Sequence, residues 1–376
     1  MKLNPKNLAQ TLAALVRIPS PPGEEAEIAV EVAGRLEALG LKPRIDKYQN
    51  VKAHLGPKGR TILLNAHLDH VPPIGRWSFN PYSGKIAEGK VYGVGASDNK
   101  SGVAAMLEIA RLLAQREASL PGRIIFLFTS REETHEGKEE SRRSALKGLK
   151  ADAGICLDAH TFENRKTINL EVGCRGILNL TLTIYGKAYH SSEPEKAVNS
   201  IYISIEYIQA LRRLKLPKRV KPPKAKADLS VTKISTNGWP TRIPDRCTLT
   251  INYRALPEEN LEHVEHQLVK LAQLKCREGF QVEKAEWSEG YFVPLEEPIV
   301  QAAKASIREM GFAARPAIAR GWIDAAVFTL KAKIPTIALG TTTKGQAHTP
   351  NEYEDLECLN VGAEAVLRTA LKFLGG

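Results

Sequence analysis

The chain has 376 residues, of which 43% are hydrophobic and 25% are charged, and its formal net charge is +11. This length accommodates two domains or one large domain with an insertion, and the composition is ordinary for a soluble globular protein. The five cysteines are scattered without a CxxC pair, which argues against a disulfide framework and against a structural zinc knuckle. No apolar run approaches the roughly 20 residues that span a bilayer, and the N-terminus has no signal-peptide pattern, so we expect a cytoplasmic protein.

The chain on both sides of residues 175–288 alternates helical patterns with short, continuously apolar segments. Helices are predicted at 5–16 and 24–39, and another helix follows the turn at Asp98. The apolar segments predict buried strands that begin at Ile62, Arg123, Ala153 and Ile334. This alternation predicts an α/β fold with a mainly parallel sheet covered by helices on both faces. Such sheets bind their ligands beyond the carboxyl ends of the strands.

A different pattern begins near Cys174. The segments GILNLTLTIYG, DLSVTKIS and CTLTINYRAL alternate polar and apolar residues, and helical stretches near 199–213 and 258–275 lie between them. This predicts a smaller α+β domain with an antiparallel sheet. We place it as an insertion at 175–288, between a first catalytic part at 1–174 and a second at 289–376.

Polar side chains follow four of the predicted strands, in the segments HLDHV, REETH, CLDAH and AHTPNEY, and one more lies in the glycine-rich turn GASDNKSG. They are His67, Asp69, Asp98, Glu132, Glu133, Asp158 and His348. Two imidazoles and three carboxylates can hold two divalent cations, and two further carboxylates remain for proton transfer. The sequence therefore predicts metal-assisted hydrolysis.

Local alternatives exist for single residues of this series. Asp98 could bridge two metals, or it could cap the helix that follows it. Adjacent glutamates such as Glu139 and Glu140 are common on surfaces, but Glu132 and Glu133 follow a buried strand, where two carboxylates repel each other unless a cation compensates. The side chain of His70 is expected to point to the opposite face from that of His67.

The order of these motifs resembles the di-zinc amidohydrolases related to acetylornithine deacetylase. That group also contains succinyl-diaminopimelate desuccinylase, glutamate carboxypeptidase, aminoacylase and the co-catalytic dipeptidases. The resemblance covers nearly the whole chain, including GKAYHSSEPEKAVNSI and NYRALP in the insertion, where that family has its lid or dimerisation domain. It implies a homodimer that hydrolyses an amide or peptide bond in an N-acyl amino acid or a small peptide.

The resemblance also implies the metal site. Two divalent ions, zinc or alternatively cobalt, would be bound by His67, Asp98, Glu133, Asp158 and His348. Asp98 would bridge the two ions, and the peptide bond after it would be cis.

Five further roles follow from the same resemblance. Glu132 would be the general base, and Asp69 would support the His67 site. His190, reaching over from the lid of the partner subunit, would stabilise the oxyanion. Arg254 would bind a substrate carboxylate as a planar fork, and Asn199 would line the same pocket.

The chain departs from the family pattern where the substrate is expected. Asn252 replaces the aspartate of the usual DxR, Thr241 replaces a common asparagine, and residues 321–324 replace a GTDA-like segment. Asp158 is typical of members that cleave free peptides, whereas HSSEPEKAVNSI is typical of deacylases. A dipeptidase or aminopeptidase acting on free peptides therefore stays open beside a deacylase.

Much of the positive charge is local. Eight Lys/Arg and three prolines lie between Arg212 and Lys226, without an acidic residue. We interpret this segment as a solvated loop stiffened by proline, with an acidic substrate or an acidic carrier protein as the alternative. Nucleic acid is not the expected partner, because no nucleic-acid-binding motif accompanies the segment and aromatic residues are sparse. A binding module without catalysis is disfavoured, because degenerate relatives lose a ligand or the base and none is missing here.

Overall fold

A computed structural model describes residues 2–134 and 136–375. The helices are α1 (Pro5–Val16), α2 (Ala26–Glu37), α3 (Lys100–Ala114), α4 (Lys138–Leu146), α5 (Ser200–Arg212), α6 (Leu261–Lys275), α7 (Pro298–Glu309), α8 (Ala325–Leu330) and α9 (Leu356–Gly375). The strands are β1 (Arg44–Ile45), β2 (Val51–Leu55), β3 (Thr61–His67), β4 (Lys85–Ala87), β5 (Lys90–Tyr92), β6 (Arg123–Thr129), β7 (Ala153–Cys156), β8 (Phe162–Asn164), β9 (Thr167–Cys174), β10 (Gly176–Tyr185), β11 (Tyr189–His190), β12 (Lys218–Arg219), β13 (Ala225–Lys226), β14 (Asp228–Thr236), β15 (Arg242–Ile243), β16 (Arg246–Ala255), β17 (Phe280–Ser288), β18 (Tyr291–Phe292), β19 (Ala313–Ala319), β20 (Thr336–Ala338) and β21 (Tyr353–Asp355).

The chain divides into two compact units. The first contains Met1–Gly173, Val293–Ala317 and Ile323–Gly376, and the second contains Cys174–Phe292 and Ile318–Trp322. Within the described residues, no helix is both long enough and apolar enough to cross a membrane.

The first unit is built on a large sheet whose central strands are parallel. Its order is β1-β2-β6-β3-β7-β20-β9, and the pairs β6–β3, β3–β7 and β7–β20 are parallel. Strands β3 and β6 are buried at every residue but the first, and most of their side chains are apolar because both faces of the sheet are covered. Alternate side chains of these strands, Leu63, Ile125 and Leu127, pack with α4 and α8, while α3 and α9 lie against β3. The predicted α/β fold with a mainly parallel sheet is confirmed.

The carboxyl ends of the central strands lie at one edge of this sheet. His67, the last residue of β3, is in register with Thr129, the last residue of β6. Asn65 of β3 is in register with Cys156 of β7, which in turn pairs with Ala338 of β20. The segments that follow these strands therefore emerge side by side, as expected for a parallel sheet.

The second unit has a four-stranded antiparallel sheet in the order β14-β16-β10-β17. Strands β10 and β16 alternate buried and partly exposed residues, since one face of the sheet covers a core that includes Tyr207 of α5 and Leu268 of α6. The proposed insertion at 175–288 and its role as a lid or dimerisation domain stay predictions.

The basic segment is more ordered than the predicted loop. Strands β12 and β13 pair as a short antiparallel ribbon, and the adjacent prolines Pro222 and Pro223 lie in the turn between them. Prolines favour turns because their φ angle is preset. The side chains stay solvated, as expected, because seven of the eight Lys/Arg in this segment are exposed.

Candidate metal centre

His67 ends strand β3 and is buried at the carboxyl edge of the sheet. Its Nδ1 lies 3.0 Å from the backbone oxygen of Asp69, and its Nε2 lies 3.0 Å from Oδ1 of Asp98. A ring N–H donated to a backbone carbonyl fixes the tautomer and leaves the other nitrogen for a ligand. His67 is thus oriented with Nε2 toward Asp98.

Asp98 lies in the glycine-rich turn before α3, and its peptide bond to Asn99 is cis, as the resemblance implied. Its side chain lies between two histidines, with Oδ1 3.0 Å from Nε2 of His67 and Oδ2 3.5 Å from Nε2 of His348. The residue at the cap position of α3 is Asn99, so the carboxylate of Asp98 faces the cluster rather than capping the helix.

Glu352, which the sequence analysis did not single out, holds this turn. Its carboxylate accepts hydrogen bonds from the backbone N–H groups of Gly95, Ser97 and Asp98 at 2.9, 2.9 and 3.1 Å. Burial raises the pKa of this carboxyl to about 7. The available signal was its place in the segment AHTPNEY, four residues after His348.

Asp69 fixes the loop that carries the two glutamates. Its Oδ1 accepts the backbone N–H of Glu132 at 3.0 Å, and its Oδ2 accepts that of Glu133 at 2.9 Å. Asp69 is fully buried, and its Oδ1 lies 3.5 Å from Nδ1 of His67. Although burial opposes ionisation, hydrogen bonding to His67 and to the two backbone N–H groups lowers the pKa of the Asp69 carboxyl. One carboxylate therefore aligns both glutamates with the histidine.

The five residues predicted as metal ligands meet in two overlapping groups. Donor atoms of His67, Asp98 and Asp158 lie within 4.8 Å of one another, and so do donor atoms of Asp98, Glu133 and His348. Asp98 belongs to both groups, which is the arrangement required of a bridging carboxylate. In the second group, Nε2 of His348 lies 2.8 Å from Oε1 of Glu133.

Several carboxyl groups of this cluster are buried close to one another. Burial, followed by repulsion from Asp98, raises the pKa of the Asp158 carboxyl well above its ordinary value and raises that of Glu133. Hydrogen bonding to Glu133 raises the pKa of His348 to about 9. Buried carboxylates that repel one another are stabilised by cations, and imidazole and carboxylate groups suit divalent metals. The donor set therefore fits two divalent ions.

Glu132 lies beside the cluster, and a third group unites it with His67 and Glu133 within 4.8 Å. Burial raises the pKa of its carboxyl to about 8. Its Oε1 lies 3.8 Å from Nζ of Lys138 and 3.9 Å from Nη2 of Arg142. Neither cation was found by sequence reasoning, because α4 carries several charged residues that look alike in the sequence.

The side chains of His70 and Asp324 are buried and form hydrogen bonds within the protein. His70 is buried, its Nδ1 donates to the backbone oxygen of Val71 at 2.8 Å, and its Nε2 accepts the N–H of Ser20 at 3.0 Å. Asp324 was expected to bear on the substrate, but it is buried and accepts hydrogen bonds from Thr129 and Arg142. Both carboxylate oxygens of Asp324 therefore accept hydrogen bonds from the protein rather than facing a substrate.

His190, Asn199 and Arg254 belong to the second unit. Nδ1 of His190 accepts the N–H of Ser192 at 3.2 Å, so a neutral ring carries its proton on Nε2. The side-chain oxygen of Asn199 caps α5 by accepting the N–H of Ile201. Arg254 is half-buried on β16 and donates through Nε to Asn252 at 3.2 Å. The roles implied for these three residues stay predictions.

Carboxylates and imidazoles grouped in this way, at the carboxyl edge of a mainly parallel sheet, form the donor set of a dinuclear metal centre. The chain belongs to Peptidase family M20/M25/M40, whose sequence pattern matches residues 63–372. It is a dinuclear metallohydrolase that acts on the amide bonds of acyl amino acids or peptides. The resemblance to the di-zinc amidohydrolases is confirmed.

Two curated relatives are succinyl-diaminopimelate desuccinylases. The chain is 30% identical to that of Cereibacter sphaeroides, and the alignment covers 92% of each chain. It is 32% identical to that of Methylorubrum extorquens over 214 residues, which is 54% of the relative. The fold matches that of a tripeptidase from Staphylococcus aureus, with a TM-score of 0.82, 24% identity and full coverage of both chains. At that identity the match shows the fold alone.

Proposed function

We propose that this protein is a deacylase that hydrolyses the amide bond of an N-acyl amino acid, with zinc as its metal and Glu132 as its general base. The observation that carries the proposal is the pair of ligand groups that share Asp98, with the Glu132 carboxyl group beside them. The similarity to two desuccinylases favours an acylated amino acid over a free peptide.

The proposed ligands are His67, Asp98 and Asp158 for one ion and Asp98, Glu133 and His348 for the other. When bound, the two ions supply Lewis acidity, which makes a water molecule more acidic and polarises the scissile carbonyl. Cobalt is the alternative metal, because the same donor types also suit it.

Glu132 moves the proton in this proposal. A carboxylate beside the ligands accepts a proton from water and then gives it to the leaving nitrogen. Its burial favours the protonated form, which helps the second transfer, and the nearby Lys138 and Arg142 favour the ionised form, which the first transfer needs. Asp69 keeps the base in place through the backbone of the loop.

The proposed roles of the second unit concern the substrate. His190 presents Nε2–H as a donor if its ring is neutral, which suits the stabilisation of an oxyanion. Arg254 has the planar fork that binds a carboxylate with two hydrogen bonds, and Asn199 is proposed to line the same pocket.

We also propose a homodimer formed through the second unit, in which His190 serves the site of the partner subunit. Strand β14 is an edge strand, and Ile234 on it is 54% exposed. On the neighbouring α5, Tyr202 and Ile205 are also exposed. Unpaired strand edges with apolar side chains are typical of association surfaces. Ile234→Glu should convert a dimer into a monomer in light scattering, whereas a monomeric parent protein would contradict the proposal.

The test of the reaction is a panel of N-acetyl and N-succinyl amino acids and free dipeptides, with added zinc or cobalt and with a chelated control. We expect metal-dependent cleavage of the acylated compounds and a 10²- to 10⁴-fold lower kcat for Glu132→Ala, which is about the contribution of a general base. Cleavage of free dipeptides alone would overturn the deacylase assignment. A kcat within tenfold of the parent value would overturn the role of Glu132.

A second candidate is a peptidase that acts on free peptides, and Asp158 as the ligand favours it. The same panel decides between the two.

The basic segment favours an acidic substrate or an acidic carrier protein, because seven of its cationic side chains are exposed. In that case kcat/KM should fall steeply with salt, while a flat salt dependence would exclude it. The proposed location is the cytoplasm.

A further inference from the structure

Arg142 on α4 and Asp324 before α8 form a buried ion pair beside Glu132. Nη2 of Arg142 donates to Oδ1 of Asp324 and lies 3.9 Å from Oε1 of Glu132. Arg142 is 4% exposed and Asp324 is 2% exposed. We propose that Arg142, held by Asp324, is a positioning residue that sets the orientation of the Glu132 carboxyl group. This inference rests on the proposed role of Glu132 as the general base.

The position of Arg142 is fixed by the packing of its neighbour. Helix α4 starts shortly after the loop that carries Glu132, and Ser141 links the helix to Ser130, the residue that follows β6. The hydroxyl groups of Ser141 and Ser130 are 2.8 Å apart, and the Ser141 hydroxyl also donates to Asn50 at 3.2 Å. Arg142 therefore approaches Glu132 from a rigid element, as an accurately placed site requires.

Asp324 is held in place by a residue of the sheet, which bonds to the carboxylate oxygen that Arg142 does not. The Thr129 hydroxyl donates to Oδ2 of Asp324 at 2.8 Å, and Nδ2 of Asn65 lies 3.1 Å from the same hydroxyl. Both Thr129 and Asn65 are buried near the carboxyl ends of β6 and β3. Through Asn65, Thr129 and Asp324, hydrogen bonds link the guanidinium of Arg142 to strands β3 and β6. These are the strands that precede the site residues His67 and Glu132. Hydrogen-bonded polar networks of this kind restrict the movement of the side chains that belong to them.

Stability alone is a weak reason for the ion pair. Burying two charges costs free energy that their attraction only partly returns, and apolar pairs of similar volume are often equally stable or more so. Two cationic side chains, Lys138 and Arg142, lie near the same carboxyl oxygen of Glu132, Oε1. A carboxyl group held on one side in this way keeps a constant orientation toward the ligands.

The main test replaces the pair by an apolar pair, in the double variant Arg142→Met/Asp324→Leu. We expect a folded variant whose melting temperature falls by about 1–4 °C, because the Thr129 hydroxyl loses its acceptor. It should bind two metal ions per chain by elemental analysis and keep the parent KM, with a kcat lower by about 10- to 100-fold, since misplaced catalytic groups cost about that much. The matched control is Arg143→Met, which removes an exposed guanidinium from the same helix and should leave kcat unchanged. A double variant with kcat within threefold of the parent would overturn the inference.

A second test asks whether Arg142 acts through Glu132. In a Glu132→Gln background, the double substitution should not lower the residual kcat further, because the group that it positions is already absent. A further tenfold loss would overturn the inference. If Glu132→Gln itself retains the parent kcat, the proposed base role fails; if it is inactive while the double variant is active, only the present inference fails.

Arg142→Lys provides the test if the double variant does not fold. It keeps the charge, but a compact ammonium group cannot contact Asp324 and approach Glu132 as a planar guanidinium does. We expect a lower kcat at unchanged KM and metal content. A parent-like kcat in this variant would contradict the inference.

Discussion

Asp69→Asn tests how the loop of Glu132 and Glu133 is held. Each carboxylate oxygen of Asp69 accepts one backbone N–H, from Glu132 at 3.0 Å and from Glu133 at 2.9 Å. An asparagine side chain has nearly the same shape but only one acceptor oxygen, and its NH₂ group would face the other backbone N–H. The substitution therefore leaves one buried donor unpaired.

The cost of that unpaired donor sets the expected effect. A buried donor without a partner costs about 1–3 kcal/mol. The unpaired donor destabilises this arrangement of the loop relative to other arrangements, so a smaller fraction of the enzyme holds Glu132 in place. We therefore expect the substitution to lower kcat and to leave KM unchanged. At about 1.4 kcal/mol for each tenfold change, kcat should fall by about 5- to 150-fold.

The assay measures kcat and KM on the best substrate of the panel, together with the metal content of each variant. Asp152→Asn is the control for loss of a carboxylate acceptor in the same unit, since Asp152 accepts the backbone N–H of Thr61 at the amino end of β3, away from the site. The control should leave kcat unchanged. If Asp69→Asn keeps kcat within twofold of the parent with both metals bound, Asp69 does not act by holding this loop.

Two further predictions concern pH. Burial raises the pKa of Glu171 from 4.5 to about 7, so the native state loses stability as pH rises between these values. A glutamine at this position does not titrate, so Glu171→Gln should raise the Tm by about 3 °C more at pH 8 than at pH 5. The control Glu27→Gln, at an exposed position, should show no such difference between the two pH values. Equal Tm shifts of Glu171→Gln at both pH values would contradict the prediction. The second prediction is that zinc raises the Tm more at pH 8 than at pH 5, because Glu133 and His348, whose pKa values are raised in the metal-free protein, must lose protons to bind it. A zinc-induced Tm shift that is flat or smaller at pH 8 would show that these groups do not bind the metal.

The helices and strands around the site were predictable because their patterns are local. The strand predicted at Arg123 ends at Thr129, and the helix predicted at 5–16 has those bounds. Continuous apolar runs have few alternatives to a buried strand at this length. The basic segment was described less well, because two-residue strands such as β12 and β13 are too short to show a periodicity.

The supports of the site were less accessible to sequence reasoning. Glu352 is 254 residues from Asp98, whose N–H it accepts, and Arg142 is 182 residues from Asp324. Such pairs leave no spacing rule in a single sequence. Arg142 looks like its neighbour Arg143, although the first is buried and the second is 72% exposed.

The sequence by itself determined the residue types of the candidate metal cluster and their order along the strands, because chemistry restricts ligands to a few side chains and strand ends are marked by apolar runs. Only the tertiary structure decided that Asp98 joins two groups of candidate ligands and that Asp69 holds both glutamates. It alone decided which charges around Glu132 are buried. Those properties depend on distances between segments that are far apart in the chain, and such distances are set by the packing of the whole unit.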